Sequence, residues 1–363
     1  MPAAILSIGT AVPATRMAQS EARDFFAAQP GIGRLGGRLI HAAFDQSAID
    51  FRHTVIPDLY TAEGGIFLSP TTGMRRPTTG ERNAYYRREA PPLFAAAASE
   101  ALARAGVGAA EVTHVITASC TGFFAPGPDF RLVMDLGLPT SVERYHIGFM
   151  GCAAAFPALR AATRICDAQP GAVVLVACAE LCTLHIRSSD VPDQIVASSV
   201  FADGAAAAVV TSDAARATNA HLEAAGFTTA ITSEGENAMD WTIGDEGFEM
   251  VLTAEVPRIV GREIRAAVDA AGGSETADAW AVHPGGRSVL DRVQSGLDLP
   301  DSAMQTSRAV LREYGNMSSA TILFILGRLL ADPTLGDGAR VMGLAFGPGL
   351  TVETARFTRR DAT

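Results

Sequence analysis

Apolar residues recur along this chain with a helical period in some stretches and as unbroken β-branched runs in others, and the two kinds alternate. An Ala-rich amphipathic segment at residues 92–105 is closed by Gly106 and leads into the β-branched run 113–119. A segment at 256–271, closed by two glycines, leads into the run 279–282 in the same manner. Both stretches predict a helix, a glycine stop, a buried strand and a sharp turn.

The same order of elements returns further along each of these regions. A helix-like run opens at Gly151-Cys152 and precedes the apolar run 172–182, and a second opens at Gly315-Asn316 and precedes the run 340–344. The chain therefore predicts two similar α/β units that meet near residues 211–220. Because strands that are apolar throughout are buried on both faces, we expect five layers, α-β-α-β-α, with one sheet from each unit.

A duplicated α/β fold brings the corresponding loops of its two units together. We place the units at residues 1–215 and 216–363. The first carries Cys152 at a predicted helix start, and the second carries His283 at a strand end and Asn316 at another helix start. Strand ends and helix starts are where α/β proteins hold ligands. We therefore expect these three side chains to face one cleft.

The three residue types suit nucleophilic chemistry when they occur together. A helix start would favour the thiolate form of Cys152, although a lone cysteine is more often a buried structural residue. His283, at the tip of a strand and followed by Pro-Gly-Gly, has the placement that a Cys–His pair requires. Asn316 is either a simple helix N-cap or an uncharged amide donor for an anion.

Composition and charge exclude several classes of protein. The chain has 363 residues and a formal net charge of −10, which argues against a nucleic-acid or anionic-membrane surface. Its five cysteines are an odd set that indicates reduced thiols, and no zinc-ligand pattern is complete. The N-terminus has no basic segment before its apolar stretch, so we expect no signal peptide or membrane span and a cytoplasmic protein. The arginine-rich segment 73–89 is either a solvated loop or an anion-binding rim, and composition favours the loop.

Several short sequences resemble the signature stretches of a known family. They are the Gly-Cys pair at 151–152, VHPGG at 282–286, YGNMSSA at 314–320 and FGPGLTVE at 346–353. These stretches resemble type III polyketide synthases, the chalcone synthase-like family of the thiolase superfamily, and in particular its bacterial alkylpyrone and alkylresorcinol branch. The resemblance runs from the first strand to the C-terminus and is weakest between about residues 52 and 91. It implies a thiolase fold.

The resemblance implies an iterative condensing enzyme that uses coenzyme A thioesters and no metal or redox cofactor. Cys152 would accept the acyl starter, and His283 and Asn316 would promote decarboxylation of malonyl-CoA. The resulting enolate would attack the Cys152 thioester, and after a few rounds the chain would cyclise to an alkylpyrone or alkylresorcinol. Candidate oxyanion-hole donors are backbone N–H groups of Cys152 and of the loop containing Phe346, Gly347 and Pro348.

Individual positions also carry over from the family. Phe201 matches the gatekeeper phenylalanine between the coenzyme tunnel and the catalytic cavity, whereas Met250 falls where the plant enzymes carry an aromatic gatekeeper. Trp241 stands where the plant enzymes carry glycine, so we expect a cavity of different shape. The remaining cavity-lining positions map onto Cys120, Cys182, His185 and Ser318.

The resemblance extends to binding partners. Ala125 matches the loop residue that the family inserts into the active site of its partner, which implies a homodimer. For the coenzyme phosphates, the resemblance leaves Arg52, Arg287 and the arginines of 75–88 as candidates. Two other functions stay open: a single condensation of the β-ketoacyl-carrier-protein synthase III type, and a non-catalytic acyl-CoA-binding protein. The second has no need of the thiol.

Overall fold

The structure is a computed structural model that describes residues 1–57, 65–69, 71–273 and 277–362. The strands are β1 Ala4–Ala11, β2 Thr15–Ala18, β3 Phe51–Thr54, β4 Leu68–Ser69, β5 Gly73–Met74, β6 His114–Ser119, β7 Glu143–Gly148, β8 Val173–Leu181, β9 Asp203–Thr211, β10 His221–Ile231, β11 Met239–Gly244, β12 Gly247–Leu252, β13 Ala279–Val282, β14 Arg340–Gly347 and β15 Thr351–Arg360. The helices are α1 Gln19–Ala27, α2 Arg34–Asp45, α3 Thr79–Ala105, α4 Gly127–Leu136, α5 Ala155–Ala168, α6 Pro192–Val200, α7 Val256–Ala270, α8 Arg287–Gly296, α9 Gln305–Tyr314 and α10 Thr321–Leu330.

Nine strands are hydrogen-bonded in the order β13-β14-β15-β10-β1-β9-β8-β6-β7. Five of these strands come from the first half of the chain, namely β1, β9, β8, β6 and β7. The other four, β13, β14, β15 and β10, come from the second half. The two groups join where β1 pairs with β10, through Ala4 opposite Glu223 and Ile5 opposite Leu222. Each half thus contributes its own set of strands, as predicted, but the two sets are continuous along this seam.

Helices fill the space between the two sets of strands and cover their outer faces. Helices α5 and α10 share the central core with strand residues from both halves, as Phe156 and Leu323 show. Helix α3 packs on the outer face of the first half, and α7 and α8 pack on the outer face of the second. The predicted five-layered arrangement is therefore confirmed.

Strands β8 and β9, near the middle of the sheet, are buried along their whole length. Every residue of β8 and every residue of β9 is buried. Burying a Val or Leu side chain contributes about 1.5–3 kcal/mol, so these apolar runs stabilise the sheet from both of its faces. Within the described ranges, no helix has the length and apolar character needed to cross a bilayer.

Helix α3 begins well before the predicted start at residue 92. Thr78 caps it: the Thr78 hydroxyl accepts from the Glu81 backbone N–H at 3.3 Å, and the Glu81 carboxylate accepts from the Thr78 N–H at 2.8 Å. This reciprocal cap fixes the start of the helix at Thr79. Pro91 and Pro92 consequently lie within the helix and not before it. Most of the arginine-rich segment is consequently helical, which corrects the prediction of a loop.

Candidate active site

Cys152 lies in a single 3-10 turn, Gly151–Ala153, that follows β7 and precedes α5. Gly151 has a φ of +57°, and a Cβ atom on it would lie 2.5 Å from Cδ of Pro348. Only glycine fits there, both for its backbone conformation and for this close approach. The turn therefore rests directly against the loop that follows β14, and the Cys152 thiol reaches the interior at this contact.

The Asn316 side chain contacts Cys152 from the second half of the chain. Its Nδ2 lies 4.0 Å from Cys152 Sγ. Its Oδ1 accepts from the Ser318 backbone N–H at 2.8 Å, which orients the amide so that its N–H groups are directed away from that bond. The Asn316 backbone donates to Val200 O and accepts from Ala202 N, both at 2.9 Å. Asn316 thus extends along the end of α6, and it lies two residues before the 3-10 turn Ser318–Ala320 that leads directly into α10.

His283 follows the last residue of β13 and is completely buried. Its backbone N–H donates to Leu344 O at 2.8 Å, which continues the strand pairing and fixes the ring position. Neither ring nitrogen has a hydrogen-bond partner in the described part of the chain. Burial lowers the pKa of His283 to about 3, so the imidazole is neutral at pH 7. A neutral imidazole offers one donor and one acceptor to a ligand.

The electrostatics of Cys152 differ from the prediction of a stabilised thiolate. Burial raises the pKa of the Cys152 thiol to about 11, and contacts with Ser318 and Asn316 only partly oppose it. The cysteine sits in a short turn ahead of α5, so the loss of hydration outweighs the effect of the helix start. In the unliganded site the thiol is therefore protonated at neutral pH.

Two cavities meet at Cys152. The outer one has a volume of about 700 Å³ and is also lined by His283, Asn316 and Phe346. The inner one has a volume of about 40 Å³, which is room for only a few water molecules. Phe201 and Met250 line both cavities and therefore stand at the junction between them.

The inner cavity collects the side chains that the sequence assigned to the cavity wall. Its lining includes Cys120, Cys182, His185, Trp241, Ser318 and Pro348. Gly347 instead packs against the residue before the Gly151–Ala153 turn, where a Cβ atom on Gly347 would lie 2.8 Å from the carbonyl oxygen of Met150. Sequence reasoning missed Met239 and Gln194, which also line this cavity.

Trp241 and His185 form a hydrogen-bonded wall at the inner end of the site. The indole N–H of Trp241 donates to the Cys120 carbonyl at 2.6 Å. His185 donates from Nε2 to Thr121 O at 2.7 Å and accepts at Nδ1 from the Phe248 N–H at 3.0 Å. Both ring nitrogens of His185 are thus occupied, and burial lowers its pKa to about 3. His185 therefore shapes the cavity and is not placed to act as a base.

Glu180 is a buried residue of the site that sequence reasoning missed. Its carboxylate accepts from the Cys120 N–H and the Thr121 hydroxyl, each at 2.9 Å, and from the Ser319 hydroxyl at 2.5 Å. Burial raises its pKa. It ties the segment behind Cys120 to the segment that follows Asn316. Its signal in the sequence was a single carboxylate in the otherwise apolar strand β8.

The two residues predicted for coenzyme phosphates lie in different environments. Arg52 is only 1% exposed, and its Nη1 donates to the carbonyl oxygens of Ser198 and Phe201 at 2.8 and 2.7 Å. Because Arg52 is buried behind Phe201, it cannot contact a phosphate at the protein surface. This corrects the prediction that Arg52 binds the coenzyme phosphates. Arg287 is exposed and lines the outer cavity.

The arginine-rich segment does not form one cationic rim at this site. Arg82 is buried and donates to Pro77 O at 2.9 Å, whereas Arg87 and Arg88 line a separate surface cavity together with Phe124 and Pro126. Ala125, between those last two residues, is exposed. Among the residues that the structure describes, no group of His, Cys, Asp and Glu could hold a metal ion.

Comparisons with known proteins place this chain in one class. Solved structures similar to this chain are the C-terminal type III polyketide synthase domain of Steely1, a type I/III hybrid from Dictyostelium, and PKS-I from the brown alga Ectocarpus siliculosus. The first has a TM-score of 0.89 and 28% identity over 100% of both chains, and the second has 0.90 and 28% over 98% of both. The class is that of type III polyketide synthases, which are condensing acyltransferases.

Two family models match the sequence directly. The model of the N-terminal domain of chalcone and stilbene synthases matches residues 1–214, and the model of their C-terminal domain matches residues 224–358. The chain therefore belongs to the chalcone and stilbene synthase family. It is also 30% identical over 365 residues to "Probable polyketide synthase 1" of Dictyostelium discoideum. That match covers 96% of this chain and 11% of the relative, so the chain spans a small part of the relative's length.

Proposed function

We propose that this chain loads an acyl group from a coenzyme A starter onto Cys152, extends it with malonyl-CoA and releases an alkylpyrone or alkylresorcinol type of product. The observation that supports this most is the meeting of three side chains at one cavity. Asn316 contacts the thiol of Cys152, and the neutral His283 lines the same space with both ring nitrogens available. A protein that only bound acyl-CoA would not need this arrangement.

In the decarboxylation step, the thioester carbonyl of malonyl-CoA accepts hydrogen bonds from His283 and from Nδ2 of Asn316. The carbon–carbon bond to the carboxylate breaks and carbon dioxide leaves. The electron pair of that bond forms an enolate, and the same two donors stabilise the enolate oxygen. Neutral donors suit this step because they stabilise an oxyanion without giving up a proton. The low pKa of His283 keeps its ring neutral for this role.

In the condensation step, the enolate carbon attacks the carbonyl of the acyl group on Cys152. The new carbon–carbon bond forms, the carbon–sulfur bond breaks and the Cys152 thiolate leaves. The lengthened chain stays on coenzyme A and returns to Cys152 for the next round. Thiolate formation during loading needs a proton acceptor because burial raises the pKa of Cys152 to about 11, and the neutral imidazole of His283 accepts this proton in our scheme. The Cys152 thiolate attacks the starter carbonyl and the bond from that carbonyl to the sulfur of coenzyme A breaks. The leaving coenzyme A thiolate takes the proton from the imidazolium, so His283 is neutral again for decarboxylation.

The inner cavity supports a short product. The growing chain on Cys152 points into a space of about 40 Å³ that Trp241 and His185 close. This volume favours small starters and few extensions.

We also propose a homodimer that forms at the open edge of the sheet. Strand β7 is the last strand of the sheet, and its residues are mostly exposed. Exposed apolar side chains surround it, and exposed sheet edges are usually covered. They are Phe123, Met134, Tyr145, Phe149 and Met150. The exposed Ala125 lies in the loop before α4, where a second copy would receive it. Tyr145→Glu should convert the dimer to a monomer in size-exclusion chromatography with light scattering, and an unchanged mass would contradict this interface.

Mass spectrometry of the intact protein and its products tests the enzymatic proposal. The protein is incubated with malonyl-CoA and acyl-CoAs from acetyl to palmitoyl, beside Cys152→Ala as the matched control. We expect an acyl adduct on the unmodified protein only, and release of pyrones or resorcinols. In Asn316→Ala, the adduct should persist while products disappear. Products of a single extension would favour a synthase III-like condensation, and neither adduct nor product would contradict the proposed function.

A further inference from the structure

Helix α6 separates the two cavities that meet at Cys152, and each side of the helix lines a different one. The α6 residues that line the outer cavity but not the inner one are Pro192, Asp193, Val196, Ser199 and Val200. Those that line the inner cavity but not the outer one are Gln194, Ala197 and Ser198. The second set lies at positions i, i+3 and i+4, which share one face of a helix. We infer that Gln194 and Ser198 bind the β-keto oxygen of the acyl chain at Cys152, and so favour β-ketoacyl chains over saturated ones.

The other polar side chains of the inner cavity already have partners within the protein. The Thr121 hydroxyl donates to the Glu180 carboxylate at 2.9 Å, and the Ser318 hydroxyl lies 3.5 Å from Sγ of Cys120. The indole and the imidazole of the inner wall are occupied as well. Ser198 is only 4% exposed, and its hydroxyl makes no hydrogen bond to any residue that the structure describes. This hydroxyl is therefore a buried donor beside the inner cavity that a ligand can use.

Contacts outside the cavity hold both residues in place. The backbone carbonyl of Ser198 accepts from Nη1 of Arg52 at 2.8 Å, which fixes this turn of α6. Nε2 of Gln194 donates one of its two N–H groups to the carbonyl oxygen of Met250 at 3.0 Å. Within the described ranges, the second N–H of Gln194 has no partner. The hydroxyl and this N–H are thus two donors one helical turn apart, on the same wall of one cavity.

A keto oxygen is the ligand group that two such donors fit. A chain extended with malonyl-CoA carries a carbonyl on every second carbon, whereas a saturated starter has no acceptor beyond its thioester. A keto oxygen has two lone pairs, so it can accept from Ser198 and from Gln194 together. A saturated chain would leave both donors buried without a partner, which weakens its binding. The inference rests on the proposed function in taking the ligand to be an acyl chain presented as a thioester.

This preference would promote repeated extension. After one condensation the chain carries a β-keto group, so it gains a contact in the inner cavity that its saturated precursor lacked. A chain that has been extended once therefore competes better for Cys152 than a new starter does. A protein that performed a single condensation would gain nothing from these two donors.

Acetoacetyl-CoA and butyryl-CoA are the matched probes, because they have the same carbon chain and differ only at the β-carbon. The rate of Cys152 acylation by each, measured by mass spectrometry of the intact protein without malonyl-CoA, gives a preference ratio for every variant. We expect Ser198→Ala and Gln194→Met each to lower the ratio of acetoacetyl to butyryl acylation about fivefold. A merely structural role would slow both acylations equally, and an unchanged ratio in the two variants would overturn the inference.

Ser199→Ala is the matched control. Ser199 is the next residue of α6, but its hydroxyl donates to the carbonyl oxygen of Val196 at 2.7 Å, and it lines the outer cavity. Its preference ratio should equal that of the unmodified protein. If Ser199→Ala lowered the ratio as far as Ser198→Ala, a change in the helix would explain both, and the inference would be wrong.

Calorimetric titration of Cys152→Ala protein with the same two thioesters separates this inference from the proposed function, because it involves no acyl transfer. We expect acetoacetyl-CoA to bind about fivefold more tightly than butyryl-CoA, and a second substitution, Ser198→Ala or Gln194→Met, to remove most of that difference. This binding pattern without any acyl adduct on the unmodified protein would contradict only the proposed function. Equal affinities for the two thioesters in Cys152→Ala would contradict the inference, whatever products the unmodified protein forms.

Discussion

Arg52 Nη1 donates a hydrogen bond of 2.7 Å to the carbonyl oxygen of Phe201, so a buried cation holds the residue at the junction of the two cavities. The same side chain packs against Gly315, where a Cβ atom would lie 2.9 Å from Arg52 Cγ. Asn316 comes directly after this glycine. Arg52 on β3 therefore positions both Phe201 and Asn316, whose amide contacts Cys152. Arg52 itself lines neither of the two cavities.

Replacing Arg52 with Met should disturb Phe201 and Asn316 together. Methionine has similar bulk and no donors, so the carbonyls of Ser198 and Phe201 lose a buried partner, at a cost of about 1–3 kcal/mol for each group left unsatisfied. We expect a lower free energy of unfolding in urea, and a larger loss of product formation than of Cys152 acylation. Arg52→Lys should recover part of both. Equal losses of acylation and product formation would show a purely structural role.

Replacing Trp241 with Ala should lengthen the product. The indole closes the inner cavity and is anchored to the Cys120 carbonyl, so its removal opens the space beyond Cys152. We expect at least one further extension in the product profile measured by liquid chromatography and mass spectrometry. Trp241→Phe keeps most of the wall without the hydrogen bond and serves as the control. The same product from Trp241→Ala would mean that another wall limits chain length.

The rate of Cys152 alkylation should rise steeply with pH. The reactive species is the thiolate, and burial raises the pKa of this thiol to about 11. The rate with iodoacetamide should therefore increase about tenfold for each pH unit between 7 and 10. Peptide mapping against Cys152→Ser separates this signal from Cys120 and Cys182, whose pKa values burial also raises. A plateau in the rate near pH 7 would reveal a thiolate already formed in the resting protein.

Buried neutral His283 should make the protein sensitive to acid. Its pKa is lowered from 6.5 to about 3 in the folded state, so its contribution to stability is present above about pH 6.5 and is lost as the pH falls towards 3. Between pH 7 and pH 5, the free energy of unfolding should fall by about 2 kcal/mol more in the unmodified protein than in His283→Gln. Urea unfolding at both pH values measures this difference. His185 titrates in the same direction but is present in both proteins, so its effect cancels.

The sequence predicted those parts of the fold that depend on local periodicity. Five layers were predicted from the alternation of helices and strands and from the repeat of their order. The comparisons confirm the fold and the family. Cys152, His283 and Asn316 also lie at one cavity, because duplicated loops meet where the sheets end. Cys120, Trp241 and Ser318 all line one cavity with Cys152.

What the sequence could not predict depends on contacts between distant segments. The family resemblance made Arg52 a candidate for the coenzyme phosphates, whereas its burial follows from contact with a segment 146 residues away. Glu180 escaped notice because its donors, at Cys120, Thr121 and Ser319, come from two other loops. The high pKa of Cys152 likewise reflects surroundings that close over the thiol only in the folded protein.

The two central helices, α5 and α10, occupy corresponding places in the core, and the loop before each supplies different chemistry. The turn before α5 presents Cys152, whereas the segment before α10 presents Asn316, so neither half repeats the side chain of the other. The fold has therefore divided labour between its duplicated halves. In the proposed reaction, one loop would carry the acyl group and the other would stabilise the charge that develops on the extender, so substitutions could change one step while the residues of the other stay unchanged.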